Sequence, residues 1–160
     1  MAIYMKVPGA DGSVTASGYE KWIELDSMQF GVGRMVSMDT GNLANRASGL
    51  PSFSEITVSK STEDSTYGLL NDAVLGAEGK KIEIAVVEPG DKPTEYVKYT
   101  LEDAIISSYS MSAAGGGGKP GESISISYAK IEVAFTTHDK ANKGGGVPRV
   151  GYDLATGKKA

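Results

Sequence analysis

Two segments of this chain alternate apolar and polar residues, and both change phase partway along. In Glu122–Phe135, Ile124, Ile126 and Tyr128 fall on even positions, whereas Ile131, Val133 and Phe135 fall on odd ones. In Gly18–Val32, Ile23 and Leu25 are odd, and Met28, Phe30 and Val32 are even. Strand side chains alternate faces with period two, so a change of phase needs one extra residue, near Ala129–Lys130 in the later segment. Such a bulge bends a strand and passes it from one sheet to another. Long bent strands of this kind fit a small curved barrel.

The remaining pattern is also strand-rich. Ile3, Met5 and Val7 alternate up to Pro8-Gly9, which predicts a first strand and a turn. Ile56 and Val58 mark a strand over Phe53–Ser59. Ser61 and Asp64 stand at capping-box spacing, and Leu69, Leu70, Ala73 and Val74 follow at helical spacing, so one helix is predicted here, ending at Gly76 or Gly79. Ile82, Ile84 and Val86 form a further strand, closed by Pro89-Gly90-Asp91. Tyr96–Met111 reads as a long strand with Val97, Tyr99, Leu101, Ile105, Tyr109 and Met111 on one face. A glycine-rich turn over Gly115–Gly121, a loop over Lys140–Pro148 and a short strand near Val150–Leu154 complete the order. Hairpin-connected neighbours predict largely antiparallel sheets, so the expected class is mainly β with one short α-helix.

Residues 33–52 lack periodicity and carry Gly33, Gly41, Gly49 and Pro51, which predicts a long loop. It contains Met35, Val36, Met38, Leu43 and Leu50, more apolar side chains than a protruding loop buries against itself. Two readings stand: the loop folds back over its own barrel, or it docks onto another subunit.

Composition narrows the function. A chain of 160 residues fits one domain, residues 1–160, and buries roughly 70% of its unfolded surface. The formal net charge of -4, with no basic stripe, argues against a nucleic-acid partner. No cysteine is present, which removes disulfides and thiolate chemistry. No apolar run approaches the ~20 residues of a membrane helix, so no membrane insertion is expected. The N-terminal Met1-Ala2-Ile3-Tyr4-Met5-Lys6 lacks the regions of a signal peptide. The expectation is a protein that starts in the cytoplasm and, if it leaves the cell, leaves without a cleaved signal.

No constellation of catalytic residues accompanies the strands. His138, the single histidine, lies in Thr137-His138-Asp139-Lys140, and a triad or zinc site would have to use it; zinc normally takes several His or Cys ligands. Gly115–Gly118 followed by Lys119-Pro120 has the look of a phosphate loop, but Ala113 and Pro120 stand where that motif needs Gly and Ser or Thr. Gly31-Val32-Gly33 lacks a third glycine at the required spacing. Carboxylate pairs such as Glu24/Asp26 and Glu102/Asp103 are explained by solvated strand faces and turn ends. Trp22 and the eight tyrosines fit core or interface positions. The reading is no catalytic site, no metal and no cofactor.

Alternation alone makes one positional prediction. If Met28 and Phe30 point into the protomer core, Gln29 between them faces the other way, toward the water-filled bore of a ring of aligned bent strands.

Several motifs, taken in order, resemble one family. Lys21-Trp22-Ile23-Glu24-Leu25 followed by Ser27-Met28-Gln29-Phe30-Gly31 is similar to a segment of the haemolysin-coregulated protein (Hcp) family of type VI secretion systems. That family segment runs Lys-(Gly/Trp)-Ile-acidic, then aromatic-x-aromatic-Gly; Met28 stands where it often has tryptophan. Ile105-Ile106-Ser107-Ser108-Tyr109 resembles its Val-Ser-Ser strand, Glu122–Ile131 its penultimate long strand, and Gly151-Tyr152-Asp153-Leu154 its closing Gly-aromatic-x-(Leu/Ile) element. The resemblance spans nearly the whole chain.

The resemblance implies two antiparallel sheets curled into a β-barrel with one helix alongside, a fold shared with phage tail tube proteins. It implies a homohexameric ring, rings stacked into a tube inside a contractile sheath on a baseplate, a spike protein at the tip, secretion on contraction, and effector proteins in the bore. Some members carry a C-terminal toxin domain; this chain ends at Ala160, soon after the closing strand. Met35, Met38, Leu43, Arg46 and Leu50 are then candidates for ring stacking, and Gln29 for the lumen. Three alternatives stay open: a β-barrel binding module or chaperone that forms no tube, a hydrolase using His138, and a phage-like tail tube subunit.

Overall fold

The structure is a computed structural model that describes residues 1–37, 40–41, 47–76, 78–136 and 147–160. Twelve strands and one helix are assigned among these residues. The strands are β1 (Ala2–Lys6), β2 (Ile23–Leu25), β3 (Ser27–Gln29), β4 (Val32–Ser37), β5 (Ala47–Phe53), β6 (Ile56–Ser61), β7 (Lys80–Glu88), β8 (Thr94–Ser112), β9 (Gly121–Ser127), β10 (Lys130–Phe135), β11 (Arg149–Asp153) and β12 (Lys158–Lys159). Helix α1 spans Thr66–Leu75. Every strand pair is antiparallel, and β8 connects two sheets. Its first half joins the order β12-β11-β10-β8-β7-β1-β2; its second half joins β3-β6-β9-β8.

Both phase changes fall where the chain crosses between these sheets. The earlier segment breaks at Asp26, between β2 on β1 and β3 on β6. The later one breaks at Tyr128–Ala129, between β9 on β6 and β10 on β8. The crossing lets Ile23 and Leu25 enter the core from one sheet and Met28 and Phe30 pack against it from the other. Tyr128 anchors its crossing by donating a hydrogen bond to the Ser54 carbonyl at 2.7 Å; burial, then the nearby Glu55 charge, push its pKa up to about 12.

The two sheets enclose one core. Ile23, Ile56, Val58, Ile84, Leu101, Ile124 and Ile126 are fully buried in it. Each such side chain contributes about 1.5–3 kcal/mol through area removed from water. The ladders do not run continuously around the core. Among the described residues, the meeting of β2 with β6 is made by chain continuity and by one hydrogen bond, Asp26 N–H to the Ser59 carbonyl at 2.8 Å. The observed architecture is therefore two sheets joined along β8 and at Asp26, mainly β with one short helix.

Four local expectations are corrected. Residues 19–22 are not strand; they belong to a segment that folds back over the outer face of β1 and β7 and covers a second apolar cluster of Tyr4, Tyr19, Trp22, Ala85 and Val87. Gly12 permits this close approach, because a Cβ there would lie 2.3 Å from the Trp22 carbonyl oxygen. The helix starts at Thr66, with Ser65 at its N-cap, because Ser61 is still paired in β6 with Gly121 and is not available to cap. β8 does not keep one parity: it changes phase at Asp103, which adopts φ 48°, and again between Ile106 and Ser108. Leu101, Ala104, Ile106 and Tyr109 consequently face the core, and Ile105 is exposed. Finally, the long loop expected over residues 33–52 is not found in its described part. That part forms the hairpin β4–β5, a separate two-stranded sheet with a bulge at Met35.

The helix is held by little burial. Leu69 is fully buried, and Gly68 lets the helix backbone sit against Ala10, whose Cβ would be 2.8 Å from an added Cβ. Lys80 ties Asp72 to the Pro8 carbonyl with contacts of 2.8 and 3.0 Å. Of the predicted apolar helix positions, Leu70 and Val74 are exposed.

Candidate functional site

Four features outside the core are candidates for function, and three of them are surfaces. The first is the β4–β5 hairpin. Met35 is 86% exposed and Leu50 77% exposed, and Val32 and Val36 are also exposed. The hairpin is fixed at its base by Ser54 N–H to the Gly31 carbonyl and by Gly31 N–H to Ser54 Oγ, both at 2.9 Å. Met35, Val36 and Leu50 are not covered by the chain's own sheets, whereas Phe53 at the hairpin base packs against the core. Met38, Leu43 and Arg46 lie outside the described residues, as does His138.

The second surface is an apolar groove of about 620 Å³ between the hairpin base and the β10–β11 ladder. Tyr152, Phe53, Phe30 and Tyr99 form its floor as a chain of ring contacts with centroids 5.0, 6.4 and 5.7 Å apart. Val32, Phe135 and Val150 at its lip are exposed. Sequence reading missed this groove, because its lining comes from six segments of the chain, around residues 30–32, 51–53, 99, 131–135, 150–152 and 159.

The third surface is the outward face of β3-β6-β9-β8. Strand register sets two transverse rows on it: Gln29, Thr57, Ser125 and Ser108 in one, and Ser27, Ser59, Ser123 and Ser110 in the next. Ser27 Oγ and Ser59 Oγ are 2.5 Å apart and share a hydrogen bond. All eight residues are uncharged and bear a hydroxyl or an amide. Gln29 is exposed, as alternation predicts. The signal was visible in Ile124-Ser125-Ile126-Ser127 and in Ile56-Thr57-Val58-Ser59, where apolar residues alternate with hydroxyl residues and never with a charge. The outward face of the other sheet differs sharply. It carries Lys98–Glu83, Arg149–Glu132 and Lys130–Glu102 ion pairs at 3.2, 3.1 and 3.6 Å.

The fourth feature lies beneath the hydroxyl rows. Lys60 and Glu122, directly opposed on β6 and β9, are fully buried and paired through Nζ and Oε2. Thr66 donates to the same carboxylate oxygen at 3.0 Å, and Tyr109 donates to Oε1. Burial, the hydrogen bond to Glu122 and the carboxylate's charge hold the Tyr109 hydroxyl well above its ordinary range. Glu63 extends the network: its Oε2 accepts from Ser13 N–H and Oγ at 2.9 and 2.7 Å, and its Oε1 accepts from Ser65. Burial would raise the Glu63 pKa, but the hydrogen bonds from Ser65 and Ser13 and the Lys60 charge outweigh it and hold the carboxyl below its ordinary value. Every buried polar side-chain atom among the described residues has a partner. The network ties the helix start to β6, β9 and β8 of one sheet and to the segment at Ser13; its geometry is that of a structural clamp, with each oxygen and nitrogen directed at protein groups. No helix among the described residues is long and apolar enough to cross a membrane.

Comparison with known proteins places these surfaces in context. Residues 4–135 match the family described as "Type VI secretion system effector, Hcp". No curated protein sequence matches the chain at a significant level. Among solved structures, a type six secretion system protein is 27% identical, with a TM-score of 0.88 and 99% of each chain covered. Hcp1 from Salmonella typhimurium is 20% identical, with a TM-score of 0.78 over 99% of this chain and 98% of that one. Hcp3 from Pseudomonas aeruginosa is 18% identical, with a TM-score of 0.59 over 94% and 98%. The latter two are similar in fold.

Proposed function

The chain belongs to the Hcp family of type VI secretion, a family of structural tube proteins, and we propose that it is the secreted tube subunit: six copies close into a ring, and rings stack into a hollow tube. In this reading the two sheets act as a closed barrel wall, completed at Asp26. The observation that carries the reading is the bare apolar hairpin. A two-stranded sheet with Met35 and Leu50 in water has no role in an isolated protomer and an evident one as an axial or lateral contact. Sheet edges supply the second support. In the order β3-β6-β9-β8, β3 pairs on one side with β6, and Ile105–Ser112 of β8 pairs on one side with β9. Among the described residues both outer edges are open. Edge-to-edge association of such a sheet is head-to-tail and closes into a ring if the rotation allows.

Gln29 then faces the bore, and Met35 and Leu50 lie at the ring faces where stacking occurs. The spike, the contractile sheath, the baseplate and effector proteins are the partners of this assembly, and secretion follows sheath contraction. The protein works by shape, without catalysis. Negative-stain microscopy of the purified protein tests the proposal: annular particles with a stained centre are expected, and dispersed particles of protomer size at high concentration would overturn it. The groove of about 620 Å³ favours one other reading, a binding module for an apolar ligand. In that case the groove is filled by a small molecule, and rings do not form.

A further inference from the structure

The apolar groove beside the hairpin is a trough with two different ends. Register sets its axis: Ile131 of β10 stands opposite Tyr152 of β11, and Tyr152 opposite Lys159 of β12, whereas Val133 stands opposite Val150 further along. Lys159 therefore marks one end, and Val150 and Phe135 mark the other. The rise along β10 from Ile131 to Phe135 gives a length of about 14 Å. Among the lining residues only Tyr99, Tyr152 and Lys159 carry a polar side-chain group, and none is a carboxylate. Lys159 is exposed, and its ammonium has no partner among the described residues. The cations on the outward face of this sheet differ, since Lys98, Lys130 and Arg149 each pair with a glutamate.

We propose that this groove binds one free fatty carboxylate, with its alkyl chain laid along the floor of rings and its head beside Lys159. The volume of about 620 Å³ is that of a small-ligand site. The length matches an extended chain of about ten to twelve carbons. An alkyl chain brings no N–H or C=O into the groove. A peptide segment would bury its backbone groups against walls that offer almost no hydrogen-bond partner, and each group left unmade is costly. Charge fixes the direction of the ligand. A carboxylate at the Val150 and Phe135 end would lose water without gaining a counter-charge, whereas at the other end it meets an unpaired ammonium. All the walls belong to one protomer, so the inference stands apart from the tube reading.

Isothermal titration of the purified protein with sodium decanoate and sodium dodecanoate, below micelle-forming concentrations and at about pH 8, tests the proposal. One dodecanoate per protomer is expected, bound about tenfold more tightly than decanoate, because each buried methylene is worth about fourfold in Kd. Lys159→Glu should weaken dodecanoate about fivefold or more and leave dodecanol within about twofold. Val150→Asp, at the exposed far lip, should abolish binding of both. Val74→Asp changes a comparably bare apolar side chain on α1, so it should leave binding unaltered and separates the groove from unspecific adsorption. No saturable binding, equal affinity for dodecyltrimethylammonium, or a loss in Val74→Asp matching that in Val150→Asp would overturn the proposal. Binding that appears only after Leu50→Asp has blunted the hairpin would assign the groove to the hairpin of a second copy and overturn it as well. The solution mass of the same sample reads the tube proposal separately. A protomer mass with dodecanoate bound leaves the ligand site standing, and a ring that takes up no dodecanoate removes the site alone.

Discussion

Replacing Lys60 by Met removes one half of a charge pair whose two side chains are completely buried. The methionine keeps most of the volume of the aliphatic stem, so packing loss is small and the electrostatic loss is isolated. Glu122 would keep its hydrogen bonds from Thr66 and Tyr109, but its charge would have no counter-ion in a site without water contact. Breaking one side of such a pair costs about 3–5 kcal/mol. For a chain of this size that corresponds to a fall in Tm of roughly 6–20 °C. The assay is urea unfolding at fixed protomer concentration, with the slope required to stay constant so that the midpoint reports stability. Lys60→Met combined with Glu122→Gln should recover about half of the loss or more, because the amide needs no counter-ion and retains both hydroxyl partners. A loss below about 1 kcal/mol for Lys60→Met alone would refute the reasoning, since it would mean that the carboxylate is solvated or protonated without penalty.

Three further outcomes follow from the same structure. Gln29→Trp should leave unfolding free energy within about 0.5 kcal/mol of wild type, because the side chain is exposed; a large loss by denaturation would place Gln29 in the core instead. Leu50→Asp or Met35→Asp should leave the circular dichroism spectrum and the ring unchanged and impair ring stacking in sedimentation; loss of the ring itself would refute the axial assignment of the hairpin. The Glu63 carboxyl is depressed below its ordinary value of 4.5, so its contribution is complete above that pH and is lost as pH falls through the lower folded value. The Tm gap between wild type and Glu63→Gln should therefore narrow between about pH 5 and pH 3; a gap independent of pH would contradict the hydrogen-bonded geometry.

What sequence revealed and what it concealed divide along physical lines. The two sheet crossings were legible because a change of parity leaves a local trace, and Asp26 and Tyr128–Ala129 are where the chain changes sheet. β8 hid two such changes, because Ile105 and Met111 continue an apolar parity on the surface while Ala104 and Ile106 turn inward. The β4–β5 hairpin was unreadable as strand because Val32, Met35, Val36 and Leu50 are all exposed, so no alternation of burial marks these strands beyond Phe53 at the base. The Lys60–Glu122 pair is 62 positions apart and looks like two ordinary surface charges until the register of β6 and β9 sets them opposite each other inside the sheet. The hydroxyl rows were present in the sequence as alternation, but their common face depends on three ladders.

Solution mass measured by light scattering across protein concentration tests the central claim most directly. Six copies of the 16.7 kDa chain give a species near 100 kDa, with higher multiples where rings stack. A species that remains at 16.7 kDa at every concentration would contradict the account.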